Sequence, residues 1–289
     1  MTFSRRRLLA SGASFAGAVL AGCVGGSGDG TRNNSTSPGS VPVPDDSPVA
    51  DVEVTATDVV VSLEPDNRVS RLNLIAPDGT AFARRTVTAG ATTVRIPIIE
   101  TSRTSFWEGY YRPGVHELVV IAGEDRNQLP IPIEPAVRVR SVEPAYSDTG
   151  STTTGHIEVT LENVGSGPTW VYNIAYEGSP HATANYSLPD DRTWPQLDSP
   201  TDVEEIILRA GESKTYVGDI RPLRFEDFEG ETCPSDPIEF RMMIGLGHYD
   251  PLSVDLRVTP SGALIHRRGR ALCTDVNIEF ESDEGSTWD

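Results

Sequence analysis

Beyond residue 50 the chain is a series of short β-branched and aromatic runs separated by turn residues, with no stretch of helical periodicity. The first runs are Val52–Leu63, Arg71–Ala76, Ala81–Val87, Thr93–Ile99, His116–Ala122 and Leu129–Ile133. The later runs are Val137–Val142, His156–Leu161, Trp170–Tyr176, Glu204–Leu208, Lys214–Val217, Ile238–Ile244, Leu252–Val258 and Ala271–Phe280. Several runs alternate apolar and polar residues, the period of a half-buried strand. We expect an all-β protein with two antiparallel immunoglobulin-like β-sandwiches.

The proline-rich stretch 130–135 separates the two series of runs, because three prolines keep a chain extended and exclude it from the middle of a sheet. The predicted domains are therefore 50–135 and 136–282, followed by an acidic tail, 283–289. The second domain carries one long insert, 178–202, which exceeds ordinary hairpin loops and is predicted to be functional.

Residues 23–49 precede the first run and predict a disordered tether. Of the 26 residues from 24 to 49, 21 are Gly, Ser, Pro, Asn, Thr or Asp, so this segment offers little apolar surface to bury. Overlapping glycosylation triplets begin at Asn33 and Asn34, and a third begins at Asn185 inside the folded part. We interpret all three as possible glycosylation sites on a surface protein.

The first 22 residues have the layout of a signal peptide, with three arginines before an apolar run that is too short to span a membrane. Arg5 and Arg6 before that run resemble the twin-arginine export signal. The sequence Leu-Ala-Gly ending at Cys23 resembles the lipobox of lipoproteins, whose cysteine receives lipid. The resemblance implies a protein anchored through Cys23 to the outer face of the cell membrane. The alternative is an ordinary signal peptide that is cleaved elsewhere.

Acidic residues outnumber basic ones by 42 to 24, and Lys214 is the only lysine. Removing residues 1–22 removes three arginines and no acid, which lowers the net charge from −18 to −21. Such a surface repels phosphate, so we expect no nucleic-acid partner. Together with the export signal, this composition resembles that of surface lipoproteins of extremely halophilic archaea. Molar salt would screen the repulsion, since it shortens the Debye length to about 3 Å.

Two turns of the second domain resemble those of CARDB-type, immunoglobulin-like adhesion modules. One is the Asn-x-Gly turn at Asn163, which precedes Trp170, and the other is the turn around Gly211. In the first domain, the sequence from Tyr110 to Gly114 resembles the Tyr-x-Pro-Gly entry into a late strand of extracellular sandwiches. The resemblance implies adhesion or display and no particular reaction.

Cys233 and Cys273 are the only cysteines after Cys23, and an even pair in an exported chain predicts one disulfide. A metal pair and a catalytic thiol are the alternatives, but no histidine lies near either cysteine in the sequence to support zinc. The five histidines are scattered, and we expect His116 and His156 to be partly exposed at strand starts. His181, in the long insert, is the one to test for catalysis.

No sequence motif for catalysis, metal or cofactor binding is present, so we expect no enzyme activity, no metal site and no cofactor. Acidic groups at 190–191, 204–205 and 226–229 could bind calcium, but in so acidic a chain hydrated surface is the simpler interpretation.

The aromatic residues form one cluster in each domain, at 106–111 and at 170–194. Exposed, they would form a stacking surface for sugars or a protein contact; buried, they would fill the two cores. Tyr186 and Trp194 lie in the long insert and are the predicted ligand contacts. We therefore expect a lipid-anchored binding, adhesion or display module whose partner is a surface protein or glycan. A glycan-processing hydrolase and the substrate-binding lipoprotein of a transporter are the alternatives.

Overall fold

The structure is a computed structural model that describes residues 41–101, 110–147, 153–179, 187–190, 192, 195–226, 231–267 and 270–282. These residues belong to one compact unit, Thr36–Asp289. Their regular secondary structure is entirely β, in antiparallel sheets. The predicted all-β, antiparallel fold is confirmed. Within the described ranges, no helix is long and apolar enough to cross a membrane.

Before residue 135, the described residues form seven strands in two sheets. They are β1 (Val49–Val54), β2 (Asp58–Leu63), β3 (Val69–Ile75), β4 (Ala81–Thr86), β5 (Thr93–Pro97), β6 (Gly114–Ala122) and β7 (Asp125–Ile133). The sheet orders are β1-β2-β5 and β4-β3-β6-β7. Buried valine, leucine and isoleucine side chains from both sheets belong to one core.

After residue 136, the part of the chain that the structure describes forms ten strands in two further sheets. They are β8 (Val137–Tyr146), β9 (Thr153–Asn163), β10 (Thr169–Glu177), β11 (Leu197–Ser199), β12 (Ile207–Leu208), β13 (Ser213–Gly218), β14 (Phe225–Glu226), β15 (Ile238–Leu246), β16 (Leu252–Arg267) and β17 (Arg270–Ser282). The sheet orders are β11-β13-β9-β8 and β12-β10-β15-β16-β17-β14. Side chains from both of these sheets form a second core.

The run Val52–Leu63, predicted as one unit, is two strands. Thr55 turns the chain: its amide and its hydroxyl both bond to the carbonyl of Asp58, at 2.8 and 2.9 Å. β1 and β2 then pair with each other. The sequence did not indicate this turn, because Thr55, Ala56 and Thr57 include no glycine, proline, asparagine or aspartate and have valines on both sides.

The folded part begins earlier than the composition indicated. Val41, inside the predicted tether, is only 6% exposed and belongs to the first core. Its amide donates to the carbonyl of Val52 at 3.1 Å, and Val43 packs partly against the same core. Pro42, between these two valines, holds the chain extended, and the bond of Val41 to Val52 places it beside β1.

The proline stretch predicted as a boundary is the edge strand β7. Leu129, Ile131 and Ile133 are buried, whereas Pro130 and Pro132 between them are exposed. A proline can occupy an edge strand because its missing amide hydrogen is not needed on the open side. Of the run predicted at Glu204–Leu208, only β12 forms a strand.

The predicted disulfide between Cys233 and Cys273 is present. Cys273 is fully buried in β17, where it packs with Phe225 and Ala271 in a small third core. The bond ties the segment before β15 to the long β16–β17 hairpin. It closes a loop of 40 residues, which by chain entropy contributes about 4 kcal/mol to stability.

Candidate functional site

Asn163, a buried asparagine at the end of β9, lies beside the connection between the two halves. Its side-chain oxygen accepts from the amides of Ala136 and Gly165, each at 3.0 Å. Its side-chain nitrogen donates to the carbonyls of Gly167 at 2.8 Å and Leu208 at 3.2 Å. The Asn-x-Gly turn therefore holds the connection between β7 and β8 against the start of β10.

Aromatic side chains of the second half complete the core of the first half. Trp170 and Tyr172, on β10, are 0% and 2% exposed and belong to the first core, together with β-branched residues of β1–β7. Tyr111, also fully buried, donates its hydroxyl to the carbonyl of Pro168 at 2.5 Å. The aromatic rings are buried, as expected if they fill cores. They do not fill one core in each half, however, because they pack together where the two halves meet, which we call the junction.

Two glycines leave space for these rings: Gly245 near the end of β15, and Gly247 directly after it. A Cβ atom on Gly245 would clash with the ring of Tyr172, and one on Gly247 would clash with the ring of Trp170. The amide of Gly247 also donates to the carbonyl of Trp170 at 3.0 Å. A larger residue at either position would have to displace a fully packed ring, so both glycines are required by the junction.

The long insert is bonded to this junction through Arg192. The indole nitrogen of Trp170 donates to the carbonyl of Arg192 at 3.0 Å. The guanidinium of Arg192 donates to the carbonyl of Tyr249 at 2.9 Å. The insert is therefore held to β10 and to the segment after β15, both in the second half.

His248 lies among the aromatic rings of the junction. Its ring centroid is 4.4 Å from that of Tyr111, 4.8 Å from that of Trp170 and 5.6 Å from that of Tyr110. Its Nδ1 is hydrogen-bonded to the Thr169 hydroxyl at 3.3 Å, whereas its buried Nε2 has no partner of good geometry in the described structure. Burial lowers the pKa of His248 to about 3, although the Tyr111 backbone opposes the shift. The imidazole is therefore neutral at physiological pH.

A cleft of about 490 Å³ opens beside these rings, which is within the range of about 300–1,000 Å³ for small-molecule sites. Its described lining is Tyr110, Tyr111, Arg112, Pro113, Asp190, Arg192, Gly247 and His248. The lining comes from the segment before β6, the long insert and the segment after β15. We call this site the junction cleft.

Several predicted site residues lie outside the described residues: Arg5, Arg6, Cys23, Asn33, Asn34, His181, Asn185, Tyr186 and Trp194. Their roles stay predictions. The insert that contains Tyr186 and Trp194 does contribute Asp190 and Arg192 to the junction cleft. No group of three potential metal-ligating side chains occurs in the part of the chain that the structure describes.

The expectation that His116 and His156 are partly exposed is wrong. His116 is 0% exposed and packs edge-on against Phe82 and Tyr111. His156 is 3% exposed and its Nδ1 is hydrogen-bonded to the carbonyl of Gly218 at 2.9 Å. Burial lowers the pKa of each imidazole, so both are held as neutral core residues.

The sequence indicated the aromatic residues of the junction cleft but not its polar ones. Tyr110 and Tyr111 were recognised as part of a cluster, and the insert was recognised by its length. His248, Arg112 and Arg192 carry no motif and are brought together only by folding. A signal that points to His248 is its position directly after Gly247, just beyond a buried strand that also carries Gly245.

No protein-family model matches the chain, and no curated protein matches it. Among solved structures, a beta-glucuronidase from glycoside hydrolase family 2 is similar to 75% of this chain, at 12% sequence identity and a TM-score of 0.20. The chain spans about a fifth of that enzyme, because the similarity covers 20% of its length.

Proposed function

We propose that this protein is a lipid-anchored binding module on the outer face of the cell membrane. The junction cleft supports this function best: it combines a concave shape, an exposed aromatic ring and several polar side chains from three segments that meet beside the strand ends. A concave surface with an aromatic ring and polar side chains is sufficient for binding or display on the cell surface. In this proposal the module catalyses no reaction.

The proposal includes the localisation of the protein. Arg5 and Arg6 direct export, and Cys23 carries the lipid that holds the chain at the membrane. The Cys233–Cys273 disulfide is in keeping with an oxidising compartment outside the cell. The acidic composition fits a surface lipoprotein of an extremely halophilic archaeon, and the two turns around Asn163 and Gly211 fit a CARDB-type adhesion module.

Cell fractionation tests the anchor. The wild-type chain is expected in the membrane fraction, and mass spectrometry is expected to find lipid on a mature N-terminal peptide that begins at Cys23. The Cys23→Ala variant is expected in the soluble fraction, because it has no thiol for the lipid. Unchanged membrane retention of the variant, or an unmodified Cys23 in the wild type, would contradict the anchor.

Retention of a cell-surface component tests the binding function. The immobilised full chain is incubated with a surface extract, in parallel with the Tyr110→Ala and Tyr146→Ala variants. Both tyrosines are similarly exposed, at 39% and 41%, but only Tyr110 lines the junction cleft. We expect a component that the wild type and Tyr146→Ala retain and Tyr110→Ala loses. A chain that retains nothing would contradict the binding function.

A further inference from the structure

One aromatic ring at the junction cleft is exposed although its neighbours are buried. Tyr110 is 39% exposed, and its ring rests edge-on against Trp170, at 5.3 Å and 72°, and against His248, at 5.6 Å and 78°. Its backbone is held by a bridge to Ile99. A ring supported from behind by two packed rings loses little freedom when a ligand stacks on it.

The charged side chains of the junction cleft balance one another. Arg112 and Arg192 line the cleft together with Asp190, and Arg112 is paired with Asp78 at 2.8 Å. An anionic ligand would meet the Asp190 carboxylate, and a cationic ligand would meet the guanidinium of Arg192; the charge of Arg112 is already paired with Asp78, which is outside the described lining. The whole chain also carries a net charge of −18, which further disfavours an anion.

The same side chains offer both hydrogen-bond donors and acceptors. The guanidinium groups of Arg112 and Arg192 can only donate, and the Asp190 carboxylate can only accept. The Nε2 atom of His248 is buried, so His248 supports the Tyr110 ring from behind and is not offered to a ligand. A ligand that matches this set has an apolar face for the ring and several groups that both donate and accept.

We propose that the junction cleft binds a neutral saccharide, whose C–H face stacks on Tyr110 and whose hydroxyls bond to Arg112, Asp190 and Arg192. The hydroxyl groups of a sugar both donate and accept, so they satisfy arginine and aspartate side chains together. The inference rests on the proposed function and adds the class of ligand to it.

Fractionation of the surface extract tests this class directly. The probe is the neutral carbohydrate fraction of that extract, freed of protein by protease digestion and of acidic glycans by passage over an anion exchanger. The immobilised full chain is expected to retain this fraction, and periodate, which cleaves vicinal diols, is expected to abolish retention. The acidic glycan and peptide fractions are tested in parallel on the same chain.

Matched variants locate the contact. Tyr110→Ala is expected to weaken retention of the neutral fraction at least about tenfold, as for an aromatic residue at the centre of a binding site. Tyr146→Ala is expected to leave it unchanged. Tyr146 ends β8, whose other end adjoins the junction, so about 30 Å of strand separates it from the cleft.

The possible failures are distinct. Retention of the acidic or peptide fraction but not of the neutral one would contradict the assignment of a neutral saccharide as ligand. The binding function would still hold. Retention of the neutral fraction with equal strength by Tyr110→Ala would overturn the junction cleft as its site. If no fraction is retained by the wild type, both the saccharide and the binding function are wrong.

Discussion

Replacing Asn163 with alanine removes the side chain that fixes the start of the second half, at Ala136, to the turn after β9 and to β12. The residue is fully buried, and its amide group makes four hydrogen bonds to backbone groups. A hydrogen bond contributes about 0.5–1.5 kcal/mol to stability, and a buried partner left unsatisfied costs about 1–3 kcal/mol. We therefore expect the free energy of unfolding to fall by about 3–5 kcal/mol.

Urea unfolding followed by tryptophan fluorescence and by circular dichroism measures this loss. The Asn163→Asp variant keeps the accepting oxygen but loses both donated bonds and adds a buried charge, so it is expected to be destabilised as well. Asn73→Ala is the matched control, because the buried side-chain oxygen of Asn73 has no partner in the described structure. A loss below about 1 kcal/mol for Asn163→Ala, or an equal loss for Asn73→Ala, would refute the reasoning.

Three further predictions concern buried groups. Tyr176→Phe is expected to unfold at the same or a higher urea concentration than the wild type, since the buried Tyr176 hydroxyl has no partner in the described structure; a loss above about 1 kcal/mol would count against this. Replacing Cys233 and Cys273 together with serine is expected to lower stability by about 4 kcal/mol in the same assay, because it opens a 40-residue loop; an unchanged midpoint would show that the bond does not constrain the unfolded chain. The pKa of His248 is about 3 in the folded state and about 6.5 in an unfolded chain, so its protonation favours unfolding. The contribution of neutral His248 to the free energy of unfolding is therefore fully present above pH 6.5 and is lost as the pH drops towards 3. The His248→Gln variant is expected to lose less stability over this pH range, and an equal loss in the two proteins would contradict the low pKa of His248.

The strands could be predicted because each carries its own local pattern. Leu72 and Leu74 alternate with polar residues along β3, and the turn at Gly79, where φ is 81°, follows from its Pro-Asp-Gly sequence. The disulfide followed from the number of cysteines. The turn at Thr55 was missed because strand-forming residues make it.

The junction could not be predicted because its parts are far apart in the sequence. Tyr111 and Trp170 look like core residues of two separate domains, yet both surround His248. The neutral state of His248 depends on burial by rings of both halves at once. Arg192 accepts from Trp170 with a backbone carbonyl that any residue would supply, and its guanidinium donates to the distant carbonyl of Tyr249. Local patterns carry no information about such contacts.

Hydrogen–deuterium exchange of the full chain tests the central claim most directly, namely that the junction cleft is the binding site. Exchange is measured with and without the neutral carbohydrate fraction of the surface extract. We expect slower exchange at the amides of residues 110–114, 187–192 and 245–249, with little change in the β16–β17 hairpin. Slower exchange confined to other segments, or none at saturation, would contradict the claim.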